Sequence, residues 1–211
     1  MKKFILSYAV ALALLCVIPI NSALAAIITS AGDAALTGAT VIDFSGHPKG
    51  TYASIAIGGV TFVANNNHLW IDNTYEASYG QVGNYLDNGT YNSNGFNGLT
   101  IQFSNPTSAF GFQWDMAETW ANWTLSAYNA SNVLLGSYVL PNTDGSSTGA
   151  FVGLAFSDIS YATLVNSQAY DWVSIDNFTY QQNAVVPIPT AVILLGSGIL
   201  GLLGFRRKFN K

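Results

Sequence analysis

Charge is what this 211-residue sequence has least of. Only 9% of its residues are charged, against about 25% in ordinary soluble domains. That scarcity excludes a cytosolic helical protein, whose helices need Lys, Glu and Arg on their solvent faces. Disorder is excluded too, because disordered chains have few aromatics and this one has 13%. Cysteine occurs once, at Cys16, which excludes a disulfide framework and a multi-cysteine metal site. Basic residues number seven, and six of them lie in the first three or last six positions. A nucleic-acid partner, which needs a basic face, is therefore excluded. Residues 27–183 hold one lysine, Lys49, against eleven carboxylates, a net charge of −10.

The uneven charge marks the two ends as processing segments. Lys2 and Lys3 precede an apolar run from Phe4 to Ile20, and Ala23-Leu24-Ala25 follows as a small-x-small cleavage site. This is the layout of a secretory signal peptide over residues 1–25, cut after Ala25 or Ala26. Cys16 lies in the apolar run and leaves with it. At the other end, Val185 to Phe205 is uncharged over 21 residues and is followed by Arg206, Arg207 and Lys208. About 20 apolar residues cross a bilayer as a helix. The basic stop places the tail inside and residues 26–183 outside. Ser197 and Gly201 form a small-xxx-small pair suited to close helix packing.

The order Val186-Pro187-Ile188-Pro189-Thr190-Ala191, apolar Gly-rich helix, then Arg206-Arg207-Lys208 resembles the PEP-CTERM family of bacterial sorting signals, in its Val-Pro-Leu-Pro-Ala variant. The sequence departs from the commonest form at Ile188 and Thr190. The resemblance implies recognition of Val186, Pro187, Pro189 and Ala191 by an exosortase-type membrane transpeptidase. It also implies transient residence in the inner membrane, then delivery to the cell surface or an exopolysaccharide matrix. The two prolines disfavour helix at the residues before them, which keeps the motif extended for a protease-like cleft.

Between the ends, residues 26–183 form one domain's worth of chain. Short alternating apolar runs are separated by Gly, Asn, Asp, Ser and Pro, the signature of strands and turns. Strands are expected at 39–44, 52–57, 60–64, 68–71, 83–86, 98–103, 108–114, 122–129, 132–139, 150–156, 161–165 and 172–180. Gly58-Gly59 reads as a hairpin turn, and Asn129-Ala130-Ser131-Asn132 as a second hairpin loop. Many short strands at near-regular spacing predict an all-β fold, a jelly-roll-like two-sheet β-sandwich. Few lysines also leave few charged guards on edge strands, which makes edge pairing between copies conceivable. Val41-Ile42-Asp43-Phe44, Ile101 to Pro106, Ala109 to Phe112, Phe151 to Leu154 and Ser174 to Phe178 together resemble the β-sandwich ectodomains that accompany the same sorting signal. Those domains mostly have no assigned activity.

The residues offer little catalytic chemistry. His47 precedes Pro48 in a Ser-Gly-His-Pro-Lys-Gly turn, and His68 follows three asparagines, so both read as loop residues. Neither a G-x-S-x-G elbow nor an H-E-x-x-H pair occurs. A non-enzymatic protein is expected. The alternatives are a polysaccharide-active enzyme using Asp115 and Glu118 as a carboxylate pair, or a surface protein whose C-terminal helix is never cut. Carbohydrate binding is the sharpest positive reading. Trp120 and Trp123, with Asp115, Glu118 and Asn122 around them, combine an aromatic platform with carboxylate and amide groups. Trp114 ends a hydrophobic strand and reads as core. Trp70, Tyr75, Tyr79, Tyr85 and Tyr91 add aromatics in an Asn- and Gly-rich stretch. For metals, oxygen donors far outnumber Cys and His, which favours calcium. Asp43 and Asp176, in the first and last expected strands, are the candidate pair. The competing reading is that Asp176 and Asn177 satisfy turn backbone groups.

Overall fold

The computed structural model describes residues 26–75, 80–88, 97–119, 121–143, 148–168 and 171–182. The expected signal peptide (1–25) and sorting signal (184–211) lie outside them. Among the described residues no helix is long and apolar enough to cross a membrane.

The fold is all-β. Its strands are β1 (Ala26–Ile28), β2 (Thr40–Ile42), β3 (Gly50–Tyr52), β4 (Ser54–Ile57), β5 (Val60–Ala64), β6 (Leu69–Asp72), β7 (Tyr85–Asp87), β8 (Gly98–Asp115), β9 (Trp123–Tyr128), β10 (Leu134–Val139), β11 (Ala150–Asn166) and β12 (Ser174–Tyr180). A 3₁₀ turn, Ala34–Leu36, is capped by Asp33, whose Oδ1 accepts from Ala35 N at 2.9 Å.

Among the described residues every pairing is antiparallel, and two long strands organise the rest. β8 and β11 pair along their length, from Ala150 opposite Trp114 to Val165 opposite Gly98. Both carry neighbours of two kinds. The first half of β8 pairs with β5, and the second half of β11 with β9, giving the order β4-β5-β8-β11-β9-β10. The second half of β8 pairs with β12, and the first half of β11 with β1. On its other side β12 takes β7 and β2, and β7 continues to β6 and β3. The chain thus makes two layers that share β8 and β11.

Both shared strands change register where they pass between layers, between Ala155 and Ile159 and again by Tyr161. In β8 the inward residues are Leu99, Ile101 and Phe103 before this point, and Phe110, Phe112 and Trp114 after it. The odd-to-even switch is what a bulge does, because one extra residue turns the strand over. The layers meet in an aromatic core. Phe62 of one layer packs edge-on against Phe178 of the other, with centroids 5.1 Å apart.

The expected strand at 60–64 coincides with β5, and most others fall within two residues of an observed one. The expected breaks between 98–103 and 108–114, and between 150–156 and 161–165, are bends within continuous strands instead. Asn105-Pro106 punctuates the sequence there, but Pro106 is exposed at a break in the ladder, where no strand N–H is needed. Gly58 and Gly59 do join β4 to β5, with φ of +58° and +89°. Such a two-residue turn needs positive φ at both positions. Asn129 closes the β9–β10 loop, its Oδ1 accepting from Ser131 N and Val133 N at 3.0 Å each.

Candidate functional site

The structure separates the residues that the sequence grouped around the tryptophans. Trp123 is inward on β9, in phase with Leu125 and Ala127, and is 2% exposed. It stands edge-on to Trp114 at 5.6 Å. As folded it fills the core and offers no platform to a sugar, because the β9 alternation points it inward. Trp120 lies outside the described residues, as do Tyr79, Tyr91 and the sorting residues Val186, Pro187, Pro189, Ala191, Arg206, Arg207 and Lys208. Asp115 is fully buried, its Oδ1 accepting from Met116 N at 2.7 Å. Burial raises its pKa to about 6. Glu118 is half-buried and Asn122 exposed. The backbone N–H of Glu118 donates to Asp171 Oδ1, and that of Asn122 to Asn166 Oδ1.

Asp43 and Asp176 are brought together, as the sequence suggested. Ile42 pairs with Phe178, which sets Asp43 beside the Asp176-Asn177 bulge, where Asn177 has φ +48°. Burial, and secondarily the Asp43 charge, raise the Asp176 pKa to about 6. The Asp176 oxygens are already used: Oδ1 accepts from Asn177 N at 2.6 Å and Oδ2 from Val82 N at 3.3 Å. Calcium takes six to eight oxygens, and no group of three or more His, Cys, Asp or Glu is placed to hold a metal among the described residues. The turn reading of Asp176 thus has direct support. His47 and His68 both sit in turns: His47 stacks on Tyr52 at 6.5 Å, and His68 is exposed. Asp43 and His47 line a surface pocket of about 310 Å³ with Val41, Phe44 and Ile57.

A different constellation stands on the outer face of the second layer. Leu69, Ile71, Leu86, Val173, Ile175 and Trp114 point into the core, so their strand neighbours point away from it. The register then sets Thr51, Trp70, Asp87, Ser174 and Asp115 in one row across β3, β6, β7, β12 and β8. Tyr85, Asp176 and Gln113 form the next row. Most of these residues are buried although they face outward, because a second shell of chain covers them. Gln81 Nε2 donates to Ser174 Oγ, Val82 N reaches Asp176, and Tyr75 N donates to Tyr85 Oη at 3.1 Å. From the other side, the Thr148 carbonyl accepts from Gln113 Nε2 at 2.5 Å. Gly80 meets that same carbonyl; its φ is +85° and an added Cβ would lie 2.8 Å from the oxygen.

Trp70, Trp172 and Tyr75 frame this row and are half-buried. Trp172 packs edge-on against Tyr75 at 4.5 Å. Gln81 Oε1, Asp115 Oδ2 and Trp172 Nε1 are buried without a hydrogen-bond partner among the described residues. Burial also raises the Tyr85 phenol. The face therefore joins flat aromatic surface to carboxylate, amide and hydroxyl groups, and at its border Lys49 donates to Asn73 Oδ1 at 2.8 Å. Alternation of Trp172, Ser174 and Asp176 with Val173 and Ile175 was the available signal for this face. Its weight was hidden by the loops that cover it.

No family model matches the chain, and no curated protein matches it. Several solved structures are similar at low level. TmCBM61 in complex with beta-1,4-galactotriose is 13% identical, covers 60% of this chain and 90% of its own, and has a TM-score of 0.39. The CBM22-1 xylan-binding domain of Paenibacillus barcinonensis Xyn10C is 14% identical, with 67% and 92% coverage and a TM-score of 0.37. A DUF4465 family protein from Bacteroides caccae is 10% identical, with 69% and 99% coverage and a TM-score of 0.39. At these scores the similarity assigns neither a fold family nor a ligand to this chain.

Proposed function

We propose that the chain is an exported, non-enzymatic surface or extracellular-matrix protein. In this reading its jelly-roll-like β-domain binds exopolysaccharide, and its C-terminal signal is handled by an exosortase-type transpeptidase. The observation that carries the binding role is the row on the outer face of the second layer. There the half-buried Trp70, Trp172 and Tyr75 frame a row whose Asp87 and Ser174 lie buried beneath them. Sugars are held in part by stacking on aromatic faces, and these three rings are the part of the row that a glycan reaches. The two layers sharing β8 and β11 support the sandwich reading. Trp120 lies between Glu118 and Asn122 in the sequence and is the further candidate. The export role rests on the two end signals of the sequence.

The test is binding of the protein to its producer's own polysaccharide by affinity electrophoresis. Trp70→Ala with Trp172→Ala abolishes retardation, while Trp120→Ala weakens it. Retardation that survives all three substitutions overturns the site. Glycan turnover lost in Asp115→Asn or Glu118→Gln would overturn the non-enzymatic reading.

A further inference from the structure

The pocket of about 310 Å³ beside Asp43 and His47 is lined from both layers, by β2 of the second and the β4–β5 turn of the first. Val41, Ile42, Phe44 and Ile57 supply its apolar wall. Among the described residues β2 pairs only with β12 and β4 only with β5, so no strand closes this border. The backbone is bent to make the pocket. Phe44 has φ +55°, a conformation costly for a bulky residue. Its ring turns inward against Phe62, with centroids 5.4 Å apart. The turn that follows is fixed by His47 N donating to the Phe44 carbonyl at 2.9 Å and Asn84 Nδ2 donating to the His47 carbonyl at 2.8 Å. Val41, on the wall, is left 55% exposed.

The described chain ends at this pocket. Tyr180 pairs with Thr40, a lining residue, and its hydroxyl donates to the carbonyl of Gly58, another. Gln182, the last described residue, donates from Nε2 to Tyr180 Oη at 3.0 Å. The sequence then continues as Asn183-Ala184-Val185-Val186-Pro187-Ile188-Pro189, which carries no charge. Val185 and Ile188 lie three and six residues beyond Gln182. Extended chain covers those separations in about 10–20 Å, so both reach the pocket from where the chain leaves it.

We infer that this pocket is the docking site for the chain's own Val185–Ile188 segment, with Val186 and Ile188 entering against Val41 and Ile57. Tethering selects the occupant. A segment joined by a few residues meets its site at millimolar effective concentration, so a small apolar contact suffices where a free ligand would need a larger one. Charge agrees, because an uncharged segment approaches Asp43 and a domain of net −10 over residues 27–183 without repulsion. Chemistry fixes the mode. Residues two apart in extended chain share a face, which sets Val186 and Ile188 together. Pro187 and Pro189 have no N–H to give a ladder, so the contact is made by side chains and not by strand pairing. The docking stands without the sorting role proposed above, and only its consequence rests on that role. Docked, the proline motif is withheld from a transpeptidase cleft, so release waits on undocking.

The test is the rate at which a maleimide labels single cysteines in the full chain, held in a lipid nanodisc with Cys16→Ala as background. Val41→Cys reports the pocket. Thr37→Cys is the control: it is exposed, and its carbonyl accepts from Gln181 Nε2, so it lies beside the same chain end without lining the pocket. Val41→Cys labels slowly, and adding Val186→Asp with Ile188→Asp speeds it about tenfold, the loss expected when a buried branched side chain becomes charged. Thr37→Cys labels at one rate with and without those substitutions. They lie outside the β-domain, so circular dichroism is unchanged. A Val41→Cys that labels as fast as Thr37→Cys before the segment is altered overturns the inference. Protection that survives the segment substitutions means that something else fills the pocket, and overturns it as well. No transpeptidase enters the assay, so a chain never cut at its proline motif would refute the sorting reading and leave this contact in place.

Discussion

The indole N–H of Trp123 donates to Asp171 Oδ2 at 2.5 Å, so the buried start of β9 is tied to the segment that leads into β12. The other oxygen, Asp171 Oδ1, accepts from Trp172 N at 2.9 Å and Glu118 N at 3.2 Å. One carboxylate thereby fixes the β8–β9 loop, the indole and the entry to the last strand. Hydrogen bonds to a charged group contribute about 1.5–3 kcal/mol each, and orphaning buried donors costs further. Asp171→Ala is expected to lower unfolding free energy by about 3 kcal/mol or more, and Asp171→Asn by less, since it keeps one acceptor. Urea denaturation followed by tryptophan fluorescence checks this. Equal losses in the two variants would show that the carboxylate is not the anchor.

Asp115 sets the pH response. Burial raises its pKa from 3.8 to about 6, and Asp176 shifts the same way for the same first cause. Between these values the folded protein still holds protons that the unfolded chain has lost. Stability therefore falls as pH rises from about 4 to about 6, then levels off. The decline is at most about 3 kcal/mol for each group. Asp115→Asn removes one of the two contributions, so the variant gains on the wild type at neutral pH and matches it near pH 4. Urea midpoints at both pH values test this. A wild type whose stability rises across that window would reverse the sign and refute the assignment.

How much of this was legible in the sequence differs from place to place, for physical reasons. β5 could be placed because Val60, Phe62 and Ala64 alternate cleanly with Thr61 and Val63 between turn residues. Asp43 and Asp176 could be paired because first and last strands meet in such folds. The continuity of β8 through Asn105-Pro106 could not be seen, because proline punctuation looks the same at a bend as at a loop. Trp123 was misleading for a related reason. A tryptophan near acidic residues resembles a sugar platform until the phase of its strand is known, and Leu125 and Ala127 set that phase inward. The Trp70–Asp87–Ser174–Asp115 row depends on registers among residues up to 104 positions apart in the sequence, which no local pattern contains.

Gly153 and Gly111 face one another across the β8–β11 ladder. A Cβ at Gly153 would run into the Phe110 carbonyl and lie 2.6 Å from Gly111 Cα. Backbone on a paired central strand cannot retreat as a flexible side chain can. Gly153→Ala is expected to destabilise by about 1–3 kcal/mol as an overpacking change. By contrast, Gly46→Ala, with open space around its Cβ position, should be nearly neutral. Thermal unfolding of the two variants side by side checks the contrast, and similar losses in both would remove the close-approach argument.

The end signals predict a specific mass. If the Val186-Pro187-Ile188-Pro189 motif is cut by a transpeptidase, the released protein lacks Arg206, Arg207 and Lys208 and begins near Ala26 or Ile27. Pro187→Ala with Pro189→Ala lets the segment continue as helix, because the restriction that proline places on the preceding residue is gone. A cleft that binds extended chain then loses its substrate, and the protein accumulates in the membrane fraction with its basic tail intact. Intact-mass measurement of secreted and membrane fractions reads both outcomes. A secreted wild type that still carries Arg206 would show that release does not involve cleavage at this motif. Unchanged release of the proline variant would remove the motif from recognition even if cleavage occurs.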